Sequence, residues 1–335
     1  MTDSREPRAA IIGAGLMGRW HADAVRRIGG RVALIVDPNE SARLALGRRY
    51  PEARLADSFD PEVVVRSSTA AHVCSPLSTH ATLVNALIDV GVGALVEKPF
   101  AENADVTRRV VDRACERGVI VCPVHQFLFQ DGVRQMRTWL PHLGTIRRIE
   151  FSACSAGAGD GAELGFDALV AEILPHPLAI IGFLLGREVA SATWHVVHPA
   201  AGELEAMTAV GDTVVNIAIS AHGRPTENVV RVIADKGSAS ADLYHGFAVR
   251  HDGEVSRPRK IAQPFLVASK TLGVAAANLA RRAIRTEPAY PGLRQLVRSF
   301  YAAVRAGVDS PIAPAAIIDV AVGRDKLLAS LQSSP

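Results

Sequence analysis

Short apolar runs alternate with amphipathic stretches through the first third of the chain. The runs are AAII, RVALIV, AHVC, ALVE and VIVC, at residues 9–12, 31–36, 71–74, 94–97 and 119–122. Continuous apolar runs are typical of strands buried on both faces, and strands separated by helices predict a parallel sheet covered on both sides. We therefore expect a doubly wound α/β fold in this part of the chain.

The pattern changes after Pro123, where strands with a period of two replace the short buried runs. In TVVNIAIS, residues 213–220, Val215, Ile217 and Ile219 fall on one face. This alternation predicts an open, mostly antiparallel sheet with one face free for solvent or a partner.

The length of 335 residues suggests about two domains. We expect a Rossmann dinucleotide-binding domain at residues 1–123 and an open-sheet substrate and oligomerisation domain at 124–335. The C-terminal helices are expected to pack back on the first domain.

Composition limits the partners and the compartment. The 37 basic and 34 acidic residues are nearly balanced and form no long basic run, so neither nucleic acid nor an anionic membrane surface is indicated. The four cysteines form no CxxC pair and have no nearby ligand-spaced histidines, so we expect no metal site, no disulfide framework and a cytoplasmic location. The apolar run at 173–186 is too short to cross a bilayer, so no membrane span is expected.

A glycine-rich loop follows the first apolar run and opens an amphipathic stretch. It consists of Gly13, Ala14, Gly15, Leu16, Met17 and Gly18. In this context GxGxxG predicts a dinucleotide site, because its glycines permit a tight turn, close approach of a pyrophosphate and close helix packing. The helix N-terminus would then face the phosphates. The alternative is a plain strand-to-helix turn.

Asp37 ends the second apolar run, 22 residues after Gly15. A carboxylate at this position can accept hydrogen bonds from the adenosine ribose hydroxyls, and it would repel a 2'-phosphate. The sequence therefore predicts NAD as the cofactor, with NADP disfavoured. The alternative is that Asp37 is only a turn residue ahead of Pro38.

Glu97 and Lys98 end the fourth apolar run. Ligands of doubly wound sheets bind outside the carboxyl ends of the strands, so both side chains should lie near the nicotinamide. Lys98 can hydrogen-bond a substrate hydroxyl and share its proton, and Pro99 permits a cis peptide after it. The alternative, a surface ion pair with Glu97, is disfavoured because adjacent strand residues point to opposite faces.

Four stretches together resemble the glucose-fructose oxidoreductase/inositol dehydrogenase/MocA (Gfo/Idh/MocA) family. They are GAGLMG, CSPLSTH, EKPF and EILPHPLAIIGFLLG, at residues 13–18, 74–80, 97–100 and 172–186. The resemblance implies a Rossmann domain followed by an open-sheet α/β domain. It also implies that Ser75, Pro76 and His80 line the cofactor. Simple packing of His80, and helix capping by Ser78 or Thr79, stay open as alternatives.

The resemblance implies a second half of the site. Family members commonly carry an Asp and, four residues later, a His, and these positions are Glu172 and His176 here. It implies that His176 moves the proton of the reacting hydroxyl, that Lys98 holds the oxygen, and that Glu172 orients the imidazole. The flanking Pro175 and Pro177 leave open a helix that kinks or begins at this point.

His125 lies in PVHQFLFQDGV, residues 123–133, which resembles the substrate-side motif of the family. The sequence leaves open whether His125 faces the substrate or is a packed interior histidine. Two positions depart from the family pattern, since Leu128 replaces a customary Arg and Ala179 replaces a further Asp.

The resemblance favours hydride transfer between NAD and a secondary alcohol or ketone of a sugar, cyclitol or nucleotide-activated sugar. Two alternatives stay open: a redox-neutral NAD-dependent glycosidase or lyase with tightly bound cofactor, and a non-catalytic NAD-binding regulatory protein. The expected partners are a small carbohydrate-type substrate and further copies of the chain. A sheet with one uncovered face commonly buries it against another subunit, which favours a homodimer or homotetramer.

Overall fold

The structure is a computed structural model that describes residues 6–155, 165–253, 256–287 and 289–332, apart from the side chains of residues 259 and 332. The chain divides into two compact units. The first consists of Met1–His125 and Leu293–Val322, and the second of Gln126–Gly292 and Gly323–Pro335. Each unit contains one sheet.

The first unit holds a six-stranded sheet in the order β3-β2-β1-β4-β5-β6. Its strands are β1 (Arg8–Ile12), β2 (Arg31–Val36), β3 (Arg54–Ala56), β4 (Ala70–Val73), β5 (Gly93–Val96) and β6 (Val121–Pro123). All neighbouring pairs are parallel, and this strand order is that of a dinucleotide-binding Rossmann sheet. The predicted doubly wound fold is confirmed.

Helices connect these strands, as a parallel sheet requires. They are α1 (Leu16–Arg27), α2 (Glu40–Gly47), α3 (Pro61–Ser67), α4 (Leu77–Asp89) and α5 (Ala104–Glu116). Three begin at side-chain caps, because Asn39, Asp60 and Asn103 each accept a backbone N–H of the first turn. Such caps fix where the helices start relative to the strand ends.

Two elements of this unit, β3 and α3, are absent from the sequence-based prediction. The β3 strand has three residues and pairs only with β2 at the edge of the sheet. Its side chains are exposed or half-buried rather than fully buried. An edge strand of this kind carries no continuous apolar run, so the pattern that revealed the central strands did not reveal it.

The second unit holds a seven-stranded sheet in the order β13-β12-β11-β7-β10-β9-β8. Its strands are β7 (Ile146–Cys154), β8 (His195–Val197), β9 (Glu203–Val210), β10 (Thr213–Ser220), β11 (Glu227–Ala234), β12 (Gly237–Asp242) and β13 (Phe247–Asp252). Only the β10–β7 pair is parallel. The predicted, mostly antiparallel sheet is therefore confirmed, and Val215, Ile217 and Ile219 are buried on one face of β10 as expected.

The later helices are α6 (Asp131–Leu143), α7 (Phe166–Ile173), α8 (Pro175–Leu185), α9 (Arg257–Ile284), α10 (Leu293–Ala306) and α11 (Pro314–Gln332). In the second unit, α6 packs on β12 and β13, and α7 packs on β9 and β10. In the first unit, α10 packs on α1 and β5.

The segment Phe166–Leu185, which comprises α7 and α8, has the length and mean hydropathy of a membrane-crossing helix. The sequence-based prediction counted only residues 173–186, so the structure extends the apolar segment toward the N-terminus. More than half of it, 56%, is buried within the fold, as in the core helix of a globular protein. Within the described residues it is the one candidate of this kind, and a weak one.

Candidate functional site

The carboxyl ends of the parallel strands form one edge of the first unit, and the predicted cofactor residues gather there. Backbone hydrogen bonds join the residues that leave the strands: the N–H of Cys74 donates to Ile12, that of Glu97 to Val73, and that of Val124 to Val96, at 2.7, 2.9 and 2.8 Å. The site residues predicted from sequence at this edge are Gly13, Gly15, Leu16, Met17, Gly18, Asp37, Ser75, Pro76, His80, Glu97, Lys98 and His125.

The three glycines of the first loop have different surroundings. Gly13 has a φ of +100°, and a Cβ there would lie 2.5 Å from the carbonyl oxygen of Cys74. A Cβ on Gly18 would lie 1.9 Å from the carbonyl oxygen of Gly13. A Cβ on Gly15, by contrast, would meet no atom within 4 Å. The first and third glycines are therefore required by the fold, whereas the second leaves open space at the start of α1.

Asp37 ties the end of β2 to this loop. Its Oδ2 accepts the backbone N–H of Ala14 at 2.6 Å, and its Oδ1 accepts that of Asn39 at 2.8 Å. The carboxylate is half-buried, and each oxygen keeps acceptor capacity because a carboxylate offers about four lone-pair positions. Asp37 can thus hold the loop and accept ribose hydroxyls together.

His80 connects the two strand ends beside the central crevice. This buried side chain in α4 faces the Pro99 carbonyl with Nδ1 at 3.0 Å and the Ser75 carbonyl with Nε2 at 2.9 Å. The Ser75 hydroxyl in turn bonds that of Thr79 at 2.7 Å. His80 therefore lies within hydrogen-bond distance of both the turn after β4 and the peptide that follows Lys98, while Pro76 is exposed at the same edge.

Glu97 and Lys98 differ in burial, as expected of neighbours at a strand end. Glu97 is buried and Lys98 is half-buried, and the Lys98–Pro99 peptide is cis. The Lys98 backbone N–H donates to Glu97 Oε2 at 3.2 Å. The Glu97 carboxylate therefore contacts the backbone of the residue whose side chain we expect to meet the substrate.

His125 follows β6 at the same edge. Burial lowers its pKa to about 4, with Lys98 adding to the decrease and Glu97 opposing it. The ring is therefore neutral near pH 7. Within the part of the chain that the structure describes, its buried Nδ1 has no hydrogen-bond partner, so this atom is available to a ligand.

Sequence reasoning missed a buried polar chain behind Glu97. His21 of α1 places Nε2 3.0 Å from Glu97 Oε1 and Nδ1 2.8 Å from Nδ1 of His72. His72 of β4 places Nε2 3.1 Å from the hydroxyl of Tyr301 in α10. All these side chains are buried. A histidine inside the otherwise apolar run AAHV was the available signal, since a buried polar group needs a partner.

The protonation states of these groups set which partner donates in each hydrogen bond from Tyr301 to Glu97. Burial, and to a lesser extent the charge on His21, lowers the pKa of His72 well below its usual value, and burial raises that of Tyr301. A neutral His72 and a protonated Tyr301 allow the phenol to donate to Nε2, which leaves the proton of His72 on Nδ1. His72 then donates from Nδ1 to Nδ1 of His21, whose Nε2 donates to the Glu97 carboxylate. Every member is satisfied in this arrangement.

The other predicted catalytic residues, Glu172 and His176, lie in the second unit. Glu172 is in α7, and His176 is in α8, which begins at Pro175. The alternative in which the helix begins at the prolines is therefore the observed one. His176 is buried, and its ring lies 4.5 Å from that of Phe127 between centroids. Glu172 is half-buried. Burial lowers the pKa of Arg324, and the charges of Asp325 and Glu172 oppose that decrease.

The first unit fits a dinucleotide on three observations. Space is open at Gly15, the first turn of α1 carries no acidic residue, and the Asp37 carboxylate borders the loop. Leu16 is exposed and Met17 half-buried beside this space. Among the described residues, no three His, Cys, Asp or Glu side chains come together as a metal site.

Comparison with known proteins agrees with this arrangement. The sequence model of the Gfo/Idh/MocA group, described as an oxidoreductase family with an NAD-binding Rossmann fold, matches residues 7–125. The inositol 2-dehydrogenase of Rhodococcus erythropolis is 27% identical over 209 residues, which cover 61% of this chain and 59% of that protein. The chain thus spans less than two thirds of this curated relative.

Two solved structures share the fold over nearly the full length. UDP-N-acetylglucosamine 3-dehydrogenase GnnA from Acidithiobacillus ferrooxidans has a TM-score of 0.74 at 18% identity, covering 98% of this chain and 99% of that one. The WlbA dehydrogenase from Bordetella pertussis, in complex with NADH and UDP-GlcNAcA, has a TM-score of 0.78 at 15% identity, covering 99% and 97%. At such identities the likeness establishes the fold alone.

Proposed function

Because the model of the Gfo/Idh/MocA oxidoreductase family, with its NAD-binding Rossmann fold, matches residues 7–125 of this chain, we propose that the chain is an NAD-dependent oxidoreductase of this family acting on CH–OH groups. The substrate is a secondary alcohol or ketone of a sugar, cyclitol or nucleotide-activated sugar. The relatives named as an inositol 2-dehydrogenase and a UDP-N-acetylglucosamine 3-dehydrogenase support this class.

One observation carries the proposal. A half-buried Lys98 and the dinucleotide loop lie at the same edge of the sheet. The turn at Ser75 lies between them, and His80 contacts the carbonyls of both Ser75 and Pro99. An amine at the nicotinamide end of a Rossmann edge is placed to bind the oxygen of a reacting carbinol. The Asp37 carboxylate favours NAD over NADP because it would repel a 2'-phosphate.

The residues of this chain have separate roles in the proposed reaction. When bound, NAD accepts a hydride from the carbinol carbon or, as NADH, returns one to the ketone. Lys98 holds the substrate oxygen, and Glu97 fixes the backbone at Lys98. In this proposal His176 takes the hydroxyl proton, and Glu172 orients the imidazole.

Replacing Lys98 by Met tests the proposal. The variant should bind NAD with the parent affinity in a calorimetric titration, since the loop and Asp37 are intact. Its turnover of myo-inositol or UDP-N-acetylglucosamine, whichever the parent oxidises, should fall by about 100-fold or more. Lys236→Met, at an exposed turn, is the matched control and should retain full turnover.

His176→Asn should lose turnover to a comparable degree if both halves of the site are assigned correctly. Parent-like turnover by Lys98→Met would contradict the assignment of the oxygen-binding residue. If only His176→Asn keeps parent-like turnover, the role assigned to Lys98 stands, but His176 is not the base.

The protein works as a homodimer or homotetramer in the cytoplasm under this proposal. The four cysteines are free thiols, in keeping with a reducing compartment. Alternate residues of β10, such as Asn216 and Ser220, are half-buried on the face opposite its core residues, which leaves area for a second copy. Sedimentation velocity at micromolar concentration should show a dimer or tetramer, and a monomer would refute this assignment.

A further inference from the structure

Helix α9 carries a stripe of large apolar side chains that are exposed to solvent. Ile261, Phe265, Leu272 and Leu279 are 80%, 78%, 72% and 69% exposed. A helix turns by about 100° per residue, so the three spacings between these four residues return to one side. The four residues, the apolar stripe of α9, extend over about 27 Å at 1.5 Å per residue.

Contacts on another side of α9 keep the stripe facing outward. The helix packs against β13. Asn278 is buried, and its Nδ2 donates to the carbonyl of His245 at 3.0 Å. Arg282 donates to the same carbonyl from Nη1 at 3.1 Å. Because Leu279 projects about 100° away from Asn278 around the helix, anchoring Asn278 leaves Leu279 in solvent.

Helix α9 carries charges of one sign only. Its 28 residues include six basic residues and no acidic residue. Lys260, Lys270 and Arg281 are exposed. The near balance of charge over the whole chain conceals this cluster.

We infer that α9 rests on the surface of an anionic lipid bilayer. The apolar stripe enters the boundary between headgroups and acyl chains, as in interfacial amphipathic helices. The exposed Arg257 and Lys260 lie about 40° and 100° from Ile261 around the helix, so they flank the stripe and meet lipid phosphates. The helix lies along the surface and does not cross it. This inference goes beyond the proposed function and does not rest on it.

Lipid fits α9 better than protein does, for two reasons. A second copy of α9 would bring six more cations and no carboxylate, so pairing of the two helices would be repulsive. The fluid interface of a bilayer, in addition, admits a convex helix without a preformed groove.

Vesicle sedimentation of the full chain tests this inference. The protein should bind vesicles of mixed phosphatidylcholine and phosphatidylglycerol at least about tenfold more tightly than vesicles of phosphatidylcholine alone, and high salt should reduce the difference. Phe265→Ser combined with Leu272→Ser should lower binding to the mixed vesicles by about tenfold or more. Arg257→Glu combined with Lys260→Glu should lower binding to mixed vesicles only.

Val308→Ser is the matched control, because Val308 is 56% exposed but lies outside α9. It should bind vesicles like the parent. Circular dichroism and NAD titration check that each variant is folded. If the double serine variant is unfolded, Leu279→Ser alone replaces it as the test of the stripe. Parent binding that ignores anionic lipid, or that survives loss of the stripe, would overturn the inference. So would loss of oligomerisation in the serine variant without vesicle binding by the parent, since α9 would then be a contact between copies.

Discussion

Tyr301 and Tyr50 are two buried phenols of the first unit with opposite hydrogen-bonding states. The Tyr301 hydroxyl lies 3.1 Å from Nε2 of His72, at the end of the chain that leads to Glu97. The Tyr50 hydroxyl is also buried, but has no hydrogen-bond partner in the described part of the chain. Comparing the two residues therefore separates the stability contributed by the hydrogen bond from the stability contributed by the buried ring.

Removing the Tyr301 hydroxyl should destabilise the protein. Tyr301→Phe leaves a buried His72 nitrogen without its donor, and we expect the free energy of unfolding to fall by about 1–3 kcal/mol. Tyr50→Phe removes a hydroxyl that satisfies nothing, so it should be neutral or slightly stabilising. Urea unfolding of both variants measures the difference. Equal losses would mean that the Tyr301 bond contributes no stability of its own.

At the residue scale, motifs could be predicted and long-range contacts could not. The glycine loop, Asp37 and Lys98 were found because their spacing is local. His21 and His72 are 51 residues apart, and His72 and Tyr301 are 229 apart. No local pattern encodes such a contact, because it exists only once the strands and helices have packed.

At the scale of elements, the loop between β1 and α1 separates folding from cofactor binding. Gly15→Ala places a methyl group in open space at a φ of −67° that any residue tolerates. We expect its free energy of unfolding to stay within about 0.5 kcal/mol of the parent. Its affinity for NAD should fall by about tenfold or more, because the methyl group would occupy space that the pyrophosphate needs.

Gly13→Ala is the matched variant and should behave in the opposite way. A methyl group there meets the Cys74 carbonyl in a left-handed backbone conformation, so the cost appears in folding and should exceed about 2 kcal/mol. Thermal unfolding and calorimetric titration give both quantities. If Gly15→Ala binds NAD normally, the open space beside Gly15 is not the pyrophosphate site.

Element boundaries followed the sequence where one signal dominated. The apolar runs located β1, β2, β4, β5 and β6, and caps such as Asn103 set helix starts. The break between α7 and α8 stayed ambiguous because prolines fit both a kink and a first turn. Proline is common in the first turn of a helix, but Pro264 lies inside α9, seven residues after its start at Arg257, so this proline does not mark the helix start.

At the scale of the whole molecule, two neutral buried histidines make stability depend on pH. Folding lowers the pKa of His72 well below 6.5 and that of His125 to about 4, chiefly by burial. The unfolded chain takes up protons at these histidines near pH 6.5, so it binds more protons than the folded state below that pH. Stability should therefore fall as pH drops through 6.5 toward 4, and the loss should level off below the folded pKa.

The expected slope approaches about 1.4 kcal/mol per pH unit for each histidine. Urea unfolding between about pH 7 and 5 measures it while most carboxylates stay ionised. His125→Gln should reduce the slope of the unfolding free energy against pH by the contribution of one histidine. A stability that is flat over this range would show that neither ring is kept neutral by the fold.

The buried chain from Tyr301 to Glu97 also supplies an internal reporter. Imidazole N–H protons that are hydrogen-bonded and shielded from water exchange slowly, so His21 and His72 should give separate resonances far from the bulk of the proton spectrum. Any ligand that reaches Lys98 acts on the carboxylate at the end of this chain. Occupancy of the strand edge can therefore be read from the unlabelled protein itself, whatever its substrate proves to be.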